Sequence, residues 1–323
     1  MPEPRKILFL LGSTIGDSVC LTGAIRVLKQ NYPTVTIDVL APNPFIQELF
    51  LYNKDVSQVY LAPGKEALKE LSQAYDFAII FPISATPKLY PYLRTLCVKT
   101  ILPVYGRGLI VESALDAITA LFPECLGKMP EKYYVDPQPQ HFQEAEQILR
   151  NAGAKLDGKE ILIGCHIGYS SLAQGKRGWW QFIRKKYGSR AWLPDKYADL
   201  LAQLVGTNPS IRFVLTGTEA EIPIIKRVFK KHARYCYNIA GKSSSLLTLA
   251  AIMTYYRCYV GGDTGPMHLA VAMDIPFVAL FSERTLTNGK PYPPRAYQRV
   301  LVEPKAADIK TDEVFDLVME MLS

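Results

Sequence analysis

Apolar residues along this chain fall into short continuous runs separated by stretches with helical spacing. Lys6–Leu11 is one such run and reads as a strand, and Asp17–Gln30 places Val19, Leu21, Ile25 and Leu28 at helical spacing. Pro33 forces a turn before a second strand at Val35–Leu40. Phe77–Phe81 and Val98–Leu102 predict further strands, and Val111–Leu121 a helix. The composition shifts at Asp136-Pro137-Gln138-Pro139, and the pattern then restarts. It predicts helices over His141–Gly153, Leu193–Val205, Glu219–Lys231, Ser243–Tyr255, Gly265–Met273 and Thr311–Leu322. Between them it predicts strands at Ile161–Cys165, Ile211–Leu215, Cys258–Val260 and Pro276–Phe281. Strands that are apolar throughout and alternate with helices belong to parallel sheets covered on both faces. The expected fold is therefore α/β, in two successive units covering 1–155 and 156–323. The last helix, 311–322, is a candidate to pack back on the first unit. Ligands of such folds bind at the carboxyl ends of the strands, here expected in a cleft between the halves.

Length and composition agree with this picture. The chain has 323 residues, 49% of them hydrophobic and 21% charged, an ordinary globular balance. At about 150 residues per domain that is room for two. A net charge of +7 excludes an acidic solvating protein and suits a polyanionic partner: nucleotide, nucleic acid or anionic membrane. No apolar run approaches the ~18 residues that span a bilayer. Arg5-Lys6 ahead of Ile7–Leu11 mimics a signal peptide, but the run is short and Gly12-Ser13-Thr14 and Asp17 follow it, so a cytoplasmic protein is expected. The six cysteines include no CxxC pair and do not cluster with the histidines, so no zinc site is expected. Gly241-Lys242-Ser243 lacks the earlier glycine of a P-loop, Cys236 standing in its place.

Four constellations could carry chemistry. Gly12-Ser13-Thr14-Ile15-Gly16-Asp17 follows the first strand and opens a helix. Its glycines let the backbone approach a ligand, and helix-start N–H groups attract anions. Asp17 is either a helix cap or a general base. Gly261-Gly262-Asp263-Thr264-Gly265-Pro266-Met267-His268 likewise follows a strand and opens a helix, a turn suited to a diphosphate or simply a well-capped helix. Gly164-Cys165-His166-Ile167-Gly168 ends the first strand of the second half and offers His166 as a lining residue. The fourth is the basic stretch Lys176–Arg190. It holds Lys176, Arg177, Arg184, Lys185, Lys186 and Arg190, interleaved with Trp179, Trp180 and Phe182. It reads as a solvated face, or as a loop for an anionic substrate or membrane surface. Stacking on single-stranded nucleic acid uses the same chemistry, but the chain shows no nucleic-acid motif and no nucleic-acid partner is expected.

These residues resemble glycosyltransferase family 9, the heptosyltransferases. The opening Lys6-Ile7-Leu8 through Ser13-Thr14-Ile15-Gly16-Asp17, with Leu28 and Tyr32-Pro33, is similar to the start of that family. Gly262-Asp263-Thr264-Gly265-Pro266-Met267-His268-Leu269-Ala270, followed by Pro276–Phe281, resembles its donor-binding motif. After Phe281 the chain reads Ser282-Glu283-Arg284-Thr285 where the family often has Gly-Pro-Thr. The resemblance implies a GT-B fold, two Rossmann-like domains facing across a cleft. It also implies inverting transfer from a nucleotide-sugar, most often ADP-heptose, with no cofactor and no metal. Asp17 matches the family's general base. Asp263, Thr264, Gly265 and His268 match the donor site, with Ser13 and Thr14 as further donor contacts. Arg190-Ala191-Trp192 with Pro194 resembles a phosphate-contacting basic element, and Glu221 an acidic residue near the ribose. The implied acceptor is an anionic glycolipid of the lipopolysaccharide core. Lys176–Lys186 would then touch the cytoplasmic face of the inner membrane. A non-catalytic nucleotide-sugar-binding protein, or another sugar-nucleotide enzyme of GT-B fold, is the alternative.

Overall fold

In a computed structural model of the chain, residues 5–61, 65–81, 99–101, 108–168, 190–243 and 245–323 are described. The first strand, β1 (Lys6–Leu11), is buried from Ile7 onward, because neighbours flank both its edges and helices cover both its faces. It pairs in parallel with β2 (Thr36–Ala41) and β4 (Phe77–Phe81), Ile7 standing opposite Ile37 and Phe77. Strands β3 (Gln58–Leu61) and β5 (Lys99–Ile101) complete a sheet of order β3-β2-β1-β4-β5. Helix α1 (Ile15–Asn31) links β1 to β2 and buries residues on nearly every side. Gly23 is needed there, since a β-carbon would come within 2.9 Å of Pro130. Short helices α2 (Pro44–Leu51) and α3 (Lys65–Ser72) join the following strands, and α4 (Ile110–Thr119) packs on α1. The buried Asp38 carboxylate accepts from the Tyr75 hydroxyl at 2.7 Å and meets Lys6 Nζ at 3.4 Å.

The second sheet repeats the plan. Its strands are β6 (Ile161–His166), β7 (Ile211–Thr216), β8 (Cys236–Asn238), β9 (Cys258–Gly262), β10 (Phe277–Ser282) and β11 (Gln298–Glu303). They lie in the order β11-β10-β9-β6-β7-β8, and each neighbouring pair is parallel. Strand β6 is flanked by β7 and β9, so the strand order reverses there, as it does at β1 between β2 and β4. The carboxyl ends of such switch points are where doubly wound sheets bind ligands.

Three elements of the expected plan are drawn differently in the structure. The chain divides into compact units of Met1–Asp136 with Thr287–Pro293, and Pro137–Leu286 with Pro294–Ser323, rather than at 155. Helix α5 (Pro139–Asn151) belongs to the second unit because its buried Ala145 and Leu149 pack with α8 (Leu246–Met253), where Thr248 Oγ1 donates to Glu144 at 2.6 Å. The last helix, α11 (Thr311–Leu322), belongs to the second unit. Its Val314 and Val318 are fully buried in the second unit's core, one turn apart on a single face, and the helix packs on α6 (Pro194–Thr207). The helix expected over 219–231 is interrupted. A 3₁₀ turn at Glu219–Glu221 leads into α7 (Ile222–Val228), and a second 3₁₀ turn at Lys230–Tyr235 has His232 in non-helical geometry. Among the described residues no helix is long and apolar enough to cross a membrane.

Candidate active site

The turn from β1 into α1 places the first group. Gly12 N–H donates to the Phe81 carbonyl at 2.7 Å, which ties the turn to the end of β4. Ser13 and Thr14 are exposed and Asp17 is half-buried. Thr14 is the N-cap of α1, yet its side chain makes no capping bond. Its hydroxyl donates instead to the Asp17 carboxylate. The turn thus holds a carboxylate with its hydrogen-bonding hydroxyl at the carboxyl end of the central strand.

In the second unit, α9 (Gly265–Ala272) starts directly after β9. Thr264 is its N-cap in extended geometry, with no capping bond from its side chain, and Pro266 sits in the first turn. The hydroxyl of Thr264 donates weakly to the Gly262 carbonyl at 3.4 Å. The Thr264 side chain thus leaves this helix start uncapped, and the positive end of the helix dipole lies at Asp263–Gly265, a setting that favours an anion. Arg190 stands beside this turn, its guanidinium 3.6 Å from the Asp263 carboxylate. A β-carbon at Gly262 would lie 3.5 Å from the Arg190 carbonyl oxygen, so the two backbones run side by side. Arg190 is 51% exposed while Trp192, two residues on, is buried. Trp192 stacks edge-on against Tyr197 at 4.5 Å and donates to the Ile309 carbonyl at 3.0 Å. The tryptophan anchors the segment and the arginine is left to reach a ligand. Beyond β10, α10 (Glu283–Gly289) begins at once, Thr285 Oγ1 donating to the Ser282 carbonyl at 3.1 Å.

His268 is buried in α9 with its Nε2 at 4.0 Å from Asp263. Burial pushes its pKa down to about 4 from an ordinary 6.5, so near neutral pH it is an uncharged neighbour of that carboxylate. The folded state thus disfavours a proton that the unfolded chain binds below about pH 6.5. This contribution to stability is complete above about pH 6.5 and is lost as pH falls from there toward about 4. Melting temperature is expected to decline across that window, and His268→Gln to flatten part of the decline; an unchanged slope would show that the ring is not held neutral.

The remaining donor-site candidate, Glu221, forms a separate cluster with His166 at the ends of β7 and β6. It is 3% exposed, and its Oε2 accepts from the Thr218 N–H at 2.6 Å and hydroxyl at 3.0 Å. Sequence reasoning named His166 as a lining residue and missed Thr216, whose Oγ1 lies 3.2 Å from His166 Nδ1. A hydroxyl residue closing an apolar strand was the signal available for it. Lys176, Arg177, Trp179, Trp180, Arg184, Lys185 and Lys186 lie outside the described residues. Among the described residues, no group of three or more histidine, cysteine or acidic side chains is placed to hold a metal ion.

Comparison with known proteins finds relatives in sequence and in fold. Residues 184–318 match the profile of glycosyltransferase family 9 (heptosyltransferase). Lipopolysaccharide heptosyltransferase 2 of Salmonella typhimurium is 25% identical over 309 residues, an alignment covering 85% of this chain and 82% of that protein. Among solved structures, the family 9 glycosyl transferase of Veillonella parvula superposes with a TM-score of 0.77 at 17% identity, covering 98% of this chain and 97% of that one. ADP-heptose lipopolysaccharide heptosyltransferase II of Escherichia coli superposes at 0.71 with 20% identity, covering 98% of each chain. These likenesses show the same pair of parallel α/β sheets. The chain is similar to glycosyltransferase family 9, the heptosyltransferases, over residues 184–318, and has the GT-B fold of the solved structures it matches.

Proposed function

We propose that the protein transfers a heptose from ADP-heptose to a lipopolysaccharide core sugar, with inversion at the anomeric carbon. The observation that carries the donor reading is the turn after β9: a helix start at Thr264 that its own side chain does not cap, with the Arg190 guanidinium alongside at Asp263. The names of the Salmonella and Escherichia relatives support heptose, ADP and lipopolysaccharide as the chemistry to test first.

The roles follow from what each group can do. Asp17 takes the proton of the acceptor hydroxyl as that oxygen forms its bond to the anomeric carbon. The bond from that carbon to the diphosphate breaks in the same displacement, through an oxocarbenium-like transition state. Its electron pair leaves with the nucleoside diphosphate. Arg190 and the amides around Thr264 and Gly265 meet the charge that develops there. A guanidinium can engage two phosphate oxygens at once. Thr14 donates to Asp17 and orients the carboxylate. Ser13 and Thr14 supply further donor contacts, and His268 and Asp263 border the diphosphate and sugar. The basic, tryptophan-bearing stretch from Lys176 to Lys186 suits a phosphorylated glycolipid at the cytoplasmic face of the inner membrane.

A thermal-shift screen across ADP-, UDP- and GDP-sugars tests the donor reading. Stabilisation by ADP-sugars is expected; a shift confined to UDP- or GDP-sugars would overturn it.

A further inference from the structure

A buried phenol beside the donor turn has no part in the roles assigned above. Tyr259 lies on β9, the strand that ends in that turn, and is fully buried. Gly261 follows it on the same face of the strand. A β-carbon at Gly261 would stand 2.5 Å from the Tyr259 hydroxyl oxygen, so the side chain runs along the sheet toward the strand's carboxyl end. Glycine at 261 leaves the room for it. The hydroxyl thus leads toward the start of α9, yet it has no hydrogen-bond partner among the described residues. The Thr264 side chain interacts with it without completing a bond. Burial pushes the phenol far above its ordinary pKa of 10, so the group keeps its proton and stays an O–H donor.

Counting hydrogens shows what would satisfy this donor. The Thr264 hydroxyl has one hydrogen, which goes weakly to the Gly262 carbonyl at 3.4 Å. A phosphate oxygen at the helix start offers that hydrogen a charged and stronger acceptor. Once the hydrogen points to phosphate, the lone pairs of Thr264 Oγ1 are left for the Tyr259 hydroxyl. The bonds then run from Tyr259 to Thr264 to phosphate, each polarising the next. A buried hydroxyl without a partner costs stability, and this cost is relieved when the anion binds.

We infer that Tyr259 is a positioning residue for the nucleotide diphosphate: its buried hydroxyl donates to Thr264 Oγ1 while Thr264 donates to a phosphate oxygen. This rests on the nucleotide-sugar reading above and adds to it a group that never touches the donor. Tyr256 provides a matched control. It is also buried, and its hydroxyl also lacks a partner among the described residues. Its ring, however, lies against Gly164 on β6, where a β-carbon would collide with it.

The test is calorimetric titration and thermal melting of the full chain, using whichever of ADP, UDP and GDP the wild type binds. The variants are Tyr259→Phe, Tyr256→Phe, Thr264→Val and the double variant of Tyr259→Phe with Thr264→Val. Phenylalanine keeps the ring that fills the space beside Gly261. Tyr259→Phe is expected to weaken nucleotide binding by about 3–10-fold, the worth of one hydrogen bond. Its melting temperature without nucleotide is expected to hold or rise, since the atom removed had no partner. Tyr256→Phe is expected to bind as the wild type does. Behind Thr264→Val, Tyr259→Phe is expected to cost no further affinity, because its effect passes through that hydroxyl. Wild-type affinity in Tyr259→Phe, whether or not its melting temperature falls, would overturn the role of Tyr259 and leave the nucleotide reading standing. So would an equal loss in Tyr256→Phe, or a loss that persists in full behind Thr264→Val. A wild type that binds neither ADP, UDP nor GDP would overturn the nucleotide reading itself.

Discussion

Asp17→Asn is expected to lower turnover by roughly 10²–10⁴-fold while donor affinity stays near that of the parent. Asparagine keeps the size of aspartate and can still accept from the Thr14 hydroxyl, so the turn before α1 persists. What it loses is the capacity to take a proton. The competing reading, a carboxylate that merely stabilises the start of α1, makes a different prediction. A first-turn acid of that kind contributes about 0.3–1 kcal/mol through the helix dipole, so its loss would lower the melting temperature slightly and leave turnover intact. The local geometry favours the first reading, because the N-cap Thr14 turns its hydroxyl to the carboxylate instead of capping the helix. Single-turnover rates of the purified variant, beside its donor affinity, decide between them; a wild-type rate would leave Asp17 a structural acid.

Arg190→Ala is expected to weaken donor binding by about 10–100-fold, the worth of charge-assisted hydrogen bonds to a phosphate group. Stability should change little, since the side chain is half-exposed and the anchoring of its segment lies in Trp192. Arg190→Lys should restore part of the affinity, as an ammonium supplies charge without the two-pronged geometry. Donor affinity of the wild type should also fall with added salt more steeply than that of the alanine variant. Calorimetry at two ionic strengths measures both effects, and an Arg190→Ala variant that binds donor normally would remove Arg190 from the site.

Much of this architecture was legible in the sequence because buried parallel strands must be apolar throughout. Lys6–Leu11 and Phe77–Phe81 announce themselves by that rule and appear with the same limits. The candidate turns were legible for a related reason. Glycine, small polar residues and an acid directly after an apolar strand have few structural uses other than a strand-to-helix turn. Elements at the sheet margins were not legible. Strand β3 is an edge strand whose Gln58 and Leu61 are exposed, and its apolar run from Val59 is too short to mark it. Strand β11 is half-buried along its whole length and reads as neither face. Helix α2 did carry a signal that periodicity missed: Asn43 accepts from Ile46 N–H at 3.0 Å ahead of Pro44, a cap and a first-turn proline. The end of the chain misled for a different reason. An amphipathic helix shows which face it buries but not against what, and Val314 and Val318 found their partners in the second sheet's core. The pairing of His166 with Thr216 and Glu221 was beyond sequence reasoning, because it depends on the register of β6 against β7, His166 opposite Thr216.

The central claim is that this chain moves a sugar from a nucleotide to a glycolipid with inversion. Its most direct test is the purified protein with ADP-heptose and a delipidated lipopolysaccharide core acceptor, followed by NMR of the product's anomeric proton and by release of ADP. ADP release that depends on acceptor, one new glycosidic bond of inverted anomeric configuration, and loss of both in Asp17→Asn are expected. Retained configuration in the product, or ADP release that proceeds equally without acceptor, would contradict it.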